Sequence, residues 1–168
     1  NISDEFNLKP WLLGSGYEYR RLDEITKHNP FIILPMDLPA KPKISDPNIA
    51  LQYTTEQLKH WDMAPENISK IQDAGLFFSL SSHGLKKKTQ FRTNLARIID
   101  RGFSKDVALA SITTYPAEAM GASKTLGKIA PGFMANLVIV DGDYFDPKSK
   151  ILSVWVGGEE YFISDRAT

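Results

Sequence analysis

The stretch LGKIAPGFMANLVIVDGDYF, Leu126 to Phe145, decides how this chain is read. Gly127 and the Pro131-Gly132 pair are turn signals, and Asp141-Gly142 is another. Between them, ANLVIVD places Leu137 and Ile139 on one face of a strand and Val138 and Val140 on the other. Apolar residues on both faces predict a strand buried on both sides. ILSVWVGGEEYF, Ile151 to Phe162, is a further apolar run broken by Gly157-Gly158. No helical period survives beyond Gly121, so the end of the chain is predicted to be β structure.

Working back towards the N-terminus, the texture changes. KKTQFRTNLARIIDRG, Lys87 to Gly102, predicts a helix, with Phe91, Leu95, Ile98 and Ile99 on one stripe and Gly102 as its stop. Ser104 can cap the next helix, whose inner face carries Val107, Ala108 and Ile112. Pro116 is expected to open a last short helix that Gly121 ends. Three apolar runs precede these helices: KPWLLGSG (Lys9–Gly16), FIILPM (Phe31–Met36) and LFFSLSS (Leu76–Ser82). Each predicts a buried strand. YEYRRLDEITKH, Tyr17 to His28, predicts a helix between the first two, on the recurrence of Tyr19, Leu22 and Ile25. After the second strand, Pro35, Pro39, Pro42 and Pro47 argue against regular structure. A loop of this kind is commonly a lid, a binding loop or a linker. Thr54 and Gln57 form a capping box ahead of Leu58 and Trp61. Pro65 and Gly75 bracket a further helix. Strands alternating with helices predict parallel pairing with helical crossovers.

Composition sets limits. The chain has 168 residues, 42% of them hydrophobic, which suffices for a packed core and argues against disorder. Lys and Arg together number 20, as do Asp and Glu, so the basic excess of a nucleic-acid or anionic-membrane binder is absent. Cysteine is absent, which excludes disulfides and thiolate metal sites and fits a cytosolic or a secreted protein equally. No apolar run is long enough to span a bilayer. NISDEFNLKP, at the start, lacks the basic and apolar regions of a signal peptide and has no initiator Met, as expected of a processed product or a piece of a longer chain.

The segment ALASITTYPAEAMGASKTLGKIAPGFMANLVIVDGDYFDPKSKILSVWVGGEEY resembles the C-terminal end of the amidohydrolase superfamily. The matching residues are Ala108, Leu109, Thr113, Pro116, Ala117, Gly121, Leu126, Gly127, Pro131, Gly132, Ala135, Asn136, Leu137, Val138, Asp141, Val154, Val156 and Gly158. Family members usually carry Asp where Asn136 stands. The resemblance runs from about Gly102 to Phe162. It implies an α/β fold: the C-terminal part of an amidohydrolase-like (β/α)8 barrel, followed by a small β segment of a composite β-sandwich. Residues 1–121 would supply about strands six to eight, and residues 122–168 the β-sandwich segment. A complete barrel needs about 250 residues.

The resemblance also implies a chemistry: metal-assisted hydrolysis of non-peptide carbon–nitrogen bonds, in amides or cyclic amides. Zinc or another divalent metal serves the parent family, with no cofactor expected in this chain alone. No His-x-His pair occurs, and the three histidines, His28, His60 and His83, are scattered. LLGSG has no His at the end of the sixth-strand candidate. In active members the eighth strand ends in an Asp that binds metal and takes a proton from water. Here Ser81, Ser82 and His83 stand there instead. Ser82, His83 and Asp37, just after the seventh-strand candidate, are the catalytic candidates. Their other readings are a loop histidine bonded to backbone and a turn aspartate beside prolines. Lys86, Lys87 and Lys88 suit either an anionic substrate or a solvated helix start. Asn67-Ile68-Ser69 matches a glycosylation sequon. The chain alone is therefore expected to be inactive, and its expected partners are a missing N-terminal barrel half or a second copy, with a small-molecule substrate. The rival reading is a degenerate, non-catalytic module that binds a ligand or partner.

Overall fold

The structure, a computed structural model, describes residues 5, 6 and 8–163. The outermost residues of both expected segments, 1–4 and 164–168, lie outside the described residues. Two three-stranded sheets organise the rest. The first contains β1 (Trp11–Leu13), β2 (Phe31–Pro35) and β3 (Phe78–Ser81), all parallel and in that spatial order. Its register pairs Trp11 with Phe31 and Leu34 with Leu80. Between β1 and β2 lie a 3-10 turn (Glu18–Arg20) and α1 (Leu22–Thr26). Between β2 and β3 come α2 (Pro47–Ala50), α3 (Thr55–Met63), a second 3-10 turn (Ala64–Glu66) and α4 (Asn67–Asp73). After β3 follow α5 (Gln90–Asp100), α6 (Lys105–Ile112) and α7 (Thr114–Ala119).

Burial is one-sided along β2, whereas Phe78, Ser79 and Leu80 of β3 are all buried. Along β2, Ile32 and Leu34 are buried while Phe31, Ile33 and Pro35 are only partly covered. Ile32, Leu34, Phe78 and Leu80 join Ile68 and Ile71 of α4, Leu95 and Ile98 of α5 and Ala108 of α6 in one core. The stripe expected on α5 is present: Leu95 and Ile98 are fully buried, with Phe91 and Ile99 packed against the same core. The expected caps also form. Thr54 and Gln57 close a reciprocal capping box, and the Ser104 hydroxyl accepts from the Val107 N–H.

Several sequence expectations need correction. β1 was expected to be buried, yet Trp11 is 49% and Leu13 56% exposed. It is an edge strand, and among the described residues nothing pairs with its free side or packs over it. The Tyr17–His28 segment is not one helix. Arg21, at φ −139° and ψ 31°, breaks it into the 3-10 turn and α1. The proline-rich loop is irregular as expected up to residue 46, but Pro47 opens the short α2, where a missing N–H costs nothing. The last helix begins at Thr114 rather than Pro116. Its first turn has no intrahelical N–H bond for proline to remove.

The second sheet is antiparallel: β4 (Leu137–Val140), β5 (Ile151–Val156) and β6 (Glu159–Phe162). β5 and β6 join through Gly157 and Gly158, both at positive φ, as a tight two-residue hairpin turn requires. The expected burial of β4 on both faces fails. Val138 is 47% exposed and Ile139 41%, although Ser153, opposite Ile139 on β5, is buried.

One arginine ties the tail to the helical layer. Arg92 on α5 donates to the carbonyls of Tyr144, Asp146 and Ser149 at 2.9, 2.6 and 2.9 Å, and its guanidinium lies over the Tyr144 ring. Gly127 fixes the approach to that tail. A Cβ there would sit 2.9 Å from the Thr113 carbonyl oxygen and 3.0 Å from Ala117 Cβ, and φ is +89°.

Two outcomes follow from this packing. Ile98→Asp places an unpaired carboxylate in a dry core, a cost of several kcal/mol against a total stability of about 5–15 kcal/mol. Soluble, cooperatively melting protein should be lost, and a melting curve matching the parent would contradict the placement of α5. Arg92→Ala should cost about 1–3 kcal/mol through three carbonyls left without their donor. Hydrogen exchange should then quicken first in residues 144–149, with β2 and β3 little affected.

Candidate functional site

In α/β folds with parallel strands, chemistry gathers at the carboxyl ends of those strands. Here the C-terminal ends of β1, β2 and β3 form one rim. The Gly14 N–H donates to the Ile33 carbonyl at 2.8 Å, and the Met36 N–H to the Ser81 carbonyl at 2.8 Å, so the ladder continues to its edge. Gly14 is required by contact: a Cβ would come 2.9 Å from Leu34 Cδ2.

On this rim Asp37 approaches the turn that carries Ser82 and His83, through Gly84. Asp37 follows β2, and its carboxylate packs on the Ser82–His83–Gly84 turn. A Cβ on Gly84 would lie 3.2 Å from Asp37 Oδ2, and Gly84 has φ +78°. His83 is exposed, and its backbone N–H donates to Ser81 Oγ at 3.1 Å. No hydrogen-bond or ion-pair partner holds the His83 ring among the described residues. Ser82 offers its carbonyl to Lys88 Nζ at 2.7 Å, so one lysine of the triplet is occupied in bracing the turn.

The loop after β1 is shaped by a buried carboxylate that the sequence did not single out. Glu18 is 8% exposed and accepts from the backbone N–H groups of Ser15 and Gly16, from the Ser15 hydroxyl and from Asn67 Nδ2 at 2.7 Å. Asn67 Oδ1 in turn accepts from the Tyr19 N–H at 2.7 Å. Every donor to Glu18 is neutral. The sequon reading of Asn67 fails on the same geometry, because its side chain is buried and engaged at both amide atoms.

Sequence reasoning also passed over His60. Its ring stacks on Tyr17 at 3.7 Å between centroids and 12° between planes. Tyr19 Oη lies 3.3 Å from His60 Nδ1. Arg20 packs over Tyr17 and pairs with Glu56 at 2.8 Å. Partial burial, then the nearby Arg20 charge, push the His60 imidazole below its ordinary value. Nothing local in the sequence signals this stack, since its members are brought together across 43 and 41 positions of chain.

The donor set does not fit a divalent metal. Among the described residues no three His, Asp or Glu side chains converge to hold one. Ser81 and Ser82 present neutral hydroxyls where a carboxylate would bind more tightly.

The model of the amidohydrolase family matches residues 63–161. The amidohydrolase tasK of Hapsidospora irregularis is 39% identical over 61 residues, 36% of this chain and 6% of that protein. Among solved structures, an amidohydrolase from Thermotoga maritima MSB8 superposes with a TM-score of 0.74 at 22% identity, over 96% of this chain and 39% of that one. A Xaa-Pro dipeptidase with methionine bound in its active site gives 0.67 at 16% identity, over 90% of this chain and 39% of that one. These two likenesses speak for the fold, and the chain spans well under half the length of either structure. With the family model matched over more than half of its residues, the chain belongs to the amidohydrolase family.

Proposed function

We propose that these residues form the C-terminal part of an amidohydrolase acting on non-peptide carbon–nitrogen bonds, in an amide or cyclic amide, and that they do not turn over such a substrate by themselves. The observation that carries the reading is an open parallel sheet whose rim brings Asp37 to the Ser82–His83–Gly84 turn, while among the described residues no metal-holding set converges there. Residues 1–121 are read as about strands six to eight of a (β/α)8 barrel, and residues 122–168 as a segment of the composite β-sandwich. Zinc or another divalent metal, where the parent uses one, takes its ligands from strands beyond these residues, so no catalytic step is routed through it here. On this reading Asp37, Ser82 and His83 face the substrate and position it. Asp37 accepts a hydrogen bond, His83 donates or accepts one, and the Ser82 hydroxyl does either.

A second reading has its own support. Serines at the end of β3 supply neither a strong metal ligand nor a general base, which favours a degenerate module that binds a ligand or partner without chemistry. Ligand histidines in an adjoining N-terminal segment would favour the enzyme, and their absence the module.

Both readings call for cover over apolar surface. Trp11, Leu12 and Leu13 on β1, and Val138, Leu152 and Val156 on the second sheet, are exposed. The remaining barrel strands, or a second copy, are the partners this surface suits. Light scattering on the full 168-residue chain should therefore show self-association, with binding of a hydrophobic dye. The same preparation, supplied with zinc or manganese, should not hydrolyse N-acyl amino acids or hydantoins. A dye-silent monomer at high micromolar concentration would overturn the partial-barrel reading. Turnover by that monomer would overturn the dependence on further strands.

A further inference from the structure

The loop after β1, from Ser15 to Arg21, leaves the rim and is tied down on two sides. Towards α4 the tie is Asn67, whose Nδ2 donates to Glu18 and whose Oδ1 accepts from the Tyr19 N–H. Towards α3 there are two contacts. One is the Arg20–Glu56 pair, exposed and therefore weak. The other is the half-buried His60 ring, which lies flat on Tyr17 at 3.7 Å between centroids. His60 lines the same narrow cleft beside the rim as Ser15 and Gly16.

This second tie is sensitive to one proton. Tyr19 Oη lies 3.3 Å from His60 Nδ1 and 3.4 Å from Arg20 Nε. The Arg20 guanidinium can only donate, so it occupies a lone pair of that oxygen. A neutral imidazole meets the hydroxyl in either sense, since one ring nitrogen donates and the other accepts. An imidazolium donates from both nitrogens. Tyr19 Oη would then face two cationic donors, and its own proton would lose the imidazole as an acceptor. The charges around the ring act in both directions. Arg20, on the loop, opposes a second cation, while Glu18 on the loop and Glu56 on α3 favour one. Glu56 is already paired with Arg20, and Glu18 is already occupied by Ser15, Gly16 and Asn67. Asp37, on the β2 loop, lines the same cleft but does not enter this balance. Burial of the ring adds to the effect of Arg20, and together they outweigh the two carboxylates.

We propose that the Tyr17–His60 stack is an acid-sensitive latch on the rim: with a neutral imidazole it holds the loop after β1 against α3, and protonation of His60 lets that loop go. The fold favours the neutral ring. Its stabilisation is therefore present above the ordinary imidazole value of about 6.5 and is lost as pH falls through the lower value the ring has in the fold. The bonds to Asn67 involve no imidazole, so the loop stays tied to α4 and the loosening is local. The proposal is independent of the hydrolase reading, since it needs no substrate, metal or further strand.

The test is hydrogen exchange of the full chain, read by mass spectrometry at about pH 7.5 and about pH 5.5, with each rate divided by its intrinsic chemical rate. The expected result is a loss of protection of about two- to tenfold over residues 15–21 in acid, the contribution of one aromatic contact, with β2 and β3 unchanged. His60→Phe keeps a ring against Tyr17 but takes up no proton, so its loop should not respond to pH. His60→Gln gives the same readout should the phenylalanine variant fold poorly. Unchanged protection of the parent loop between the two pH values would overturn the proposal, as would protection that rises in acid. So would a response that persists in both variants, because another group would then be titrating. Activity is not read at any point, so this outcome is separate from that of the hydrolase reading.

Discussion

The helix stripe of Leu95 and Ile98 against Ile32, Leu34 and Phe78 is the contact on which the rest of the fold hangs. A parallel strand pair has no short turn to hold it together, so its register depends on what packs across it. Here α4, α5 and α6 all deliver apolar side chains to the same face. Each fully buried aliphatic side chain contributes about 1.5–3 kcal/mol, enough to fix three short strands despite thinner cover on the other face of β2. Asn94 adds a directional link: its Nδ2 donates to the Met36 carbonyl at 2.7 Å, just where β2 gives way to the Asp37 loop. The core and the rim are therefore coupled through α5, whose buried stripe holds the sheet and whose polar side anchors the loop above it.

The second determinant is polar. A buried carboxylate is tolerated only when its oxygens are fully occupied. Glu18 meets that condition by bending the chain: Ser15 and Gly16 turn their N–H groups inward, and Asn67 reaches over from α4. The Tyr17–His28 segment gives up a continuous helix in the process. Tyr17 and Tyr19 then face α3, and His60 slots against Tyr17. One buried charge thus explains the broken helix, the closed sequon and the aromatic stack.

What could be read from the sequence follows from range. The α5 stripe, the Thr54–Gln57 box and the Ser104 cap depend on residues three to eight positions apart, and all are present. The tail was legible for a different reason: its turn pairs and apolar run match a family pattern that the family model also finds. Burial of β1 and β4 was misjudged, because apolar composition reports what a strand is made to face and not what is there to cover it. Asp37 and the Ser82–His83 turn were legible as strand ends. Their approach through Gly84 was not, since it depends on sheet register between β2 and β3. Glu18 and His60 gave no signal at all. A lone glutamate in an amphipathic stretch reads as surface, and only the fold buries it.

That register has a consequence for how the rim works. Pro35 pairs with Ser81, so the β2 and β3 loops leave the sheet at the same level. Gly84 then turns back at positive φ, and the Asp37 carboxylate occupies the space a side chain there would need. A larger residue at 84 would meet both a strained backbone and the carboxylate, so Asp37 and Gly84 constrain each other. The serines at the end of β3 are compatible with this arrangement in a way a second carboxylate is not. An Asp at position 81 or 82 would bring a like charge towards Asp37, and like charges at short range raise each other's cost of ionisation. The rim as built therefore holds one carboxylate, Asp37, beside the Ser81 and Ser82 hydroxyls and the His83 turn. That is a surface suited to receiving a polar group.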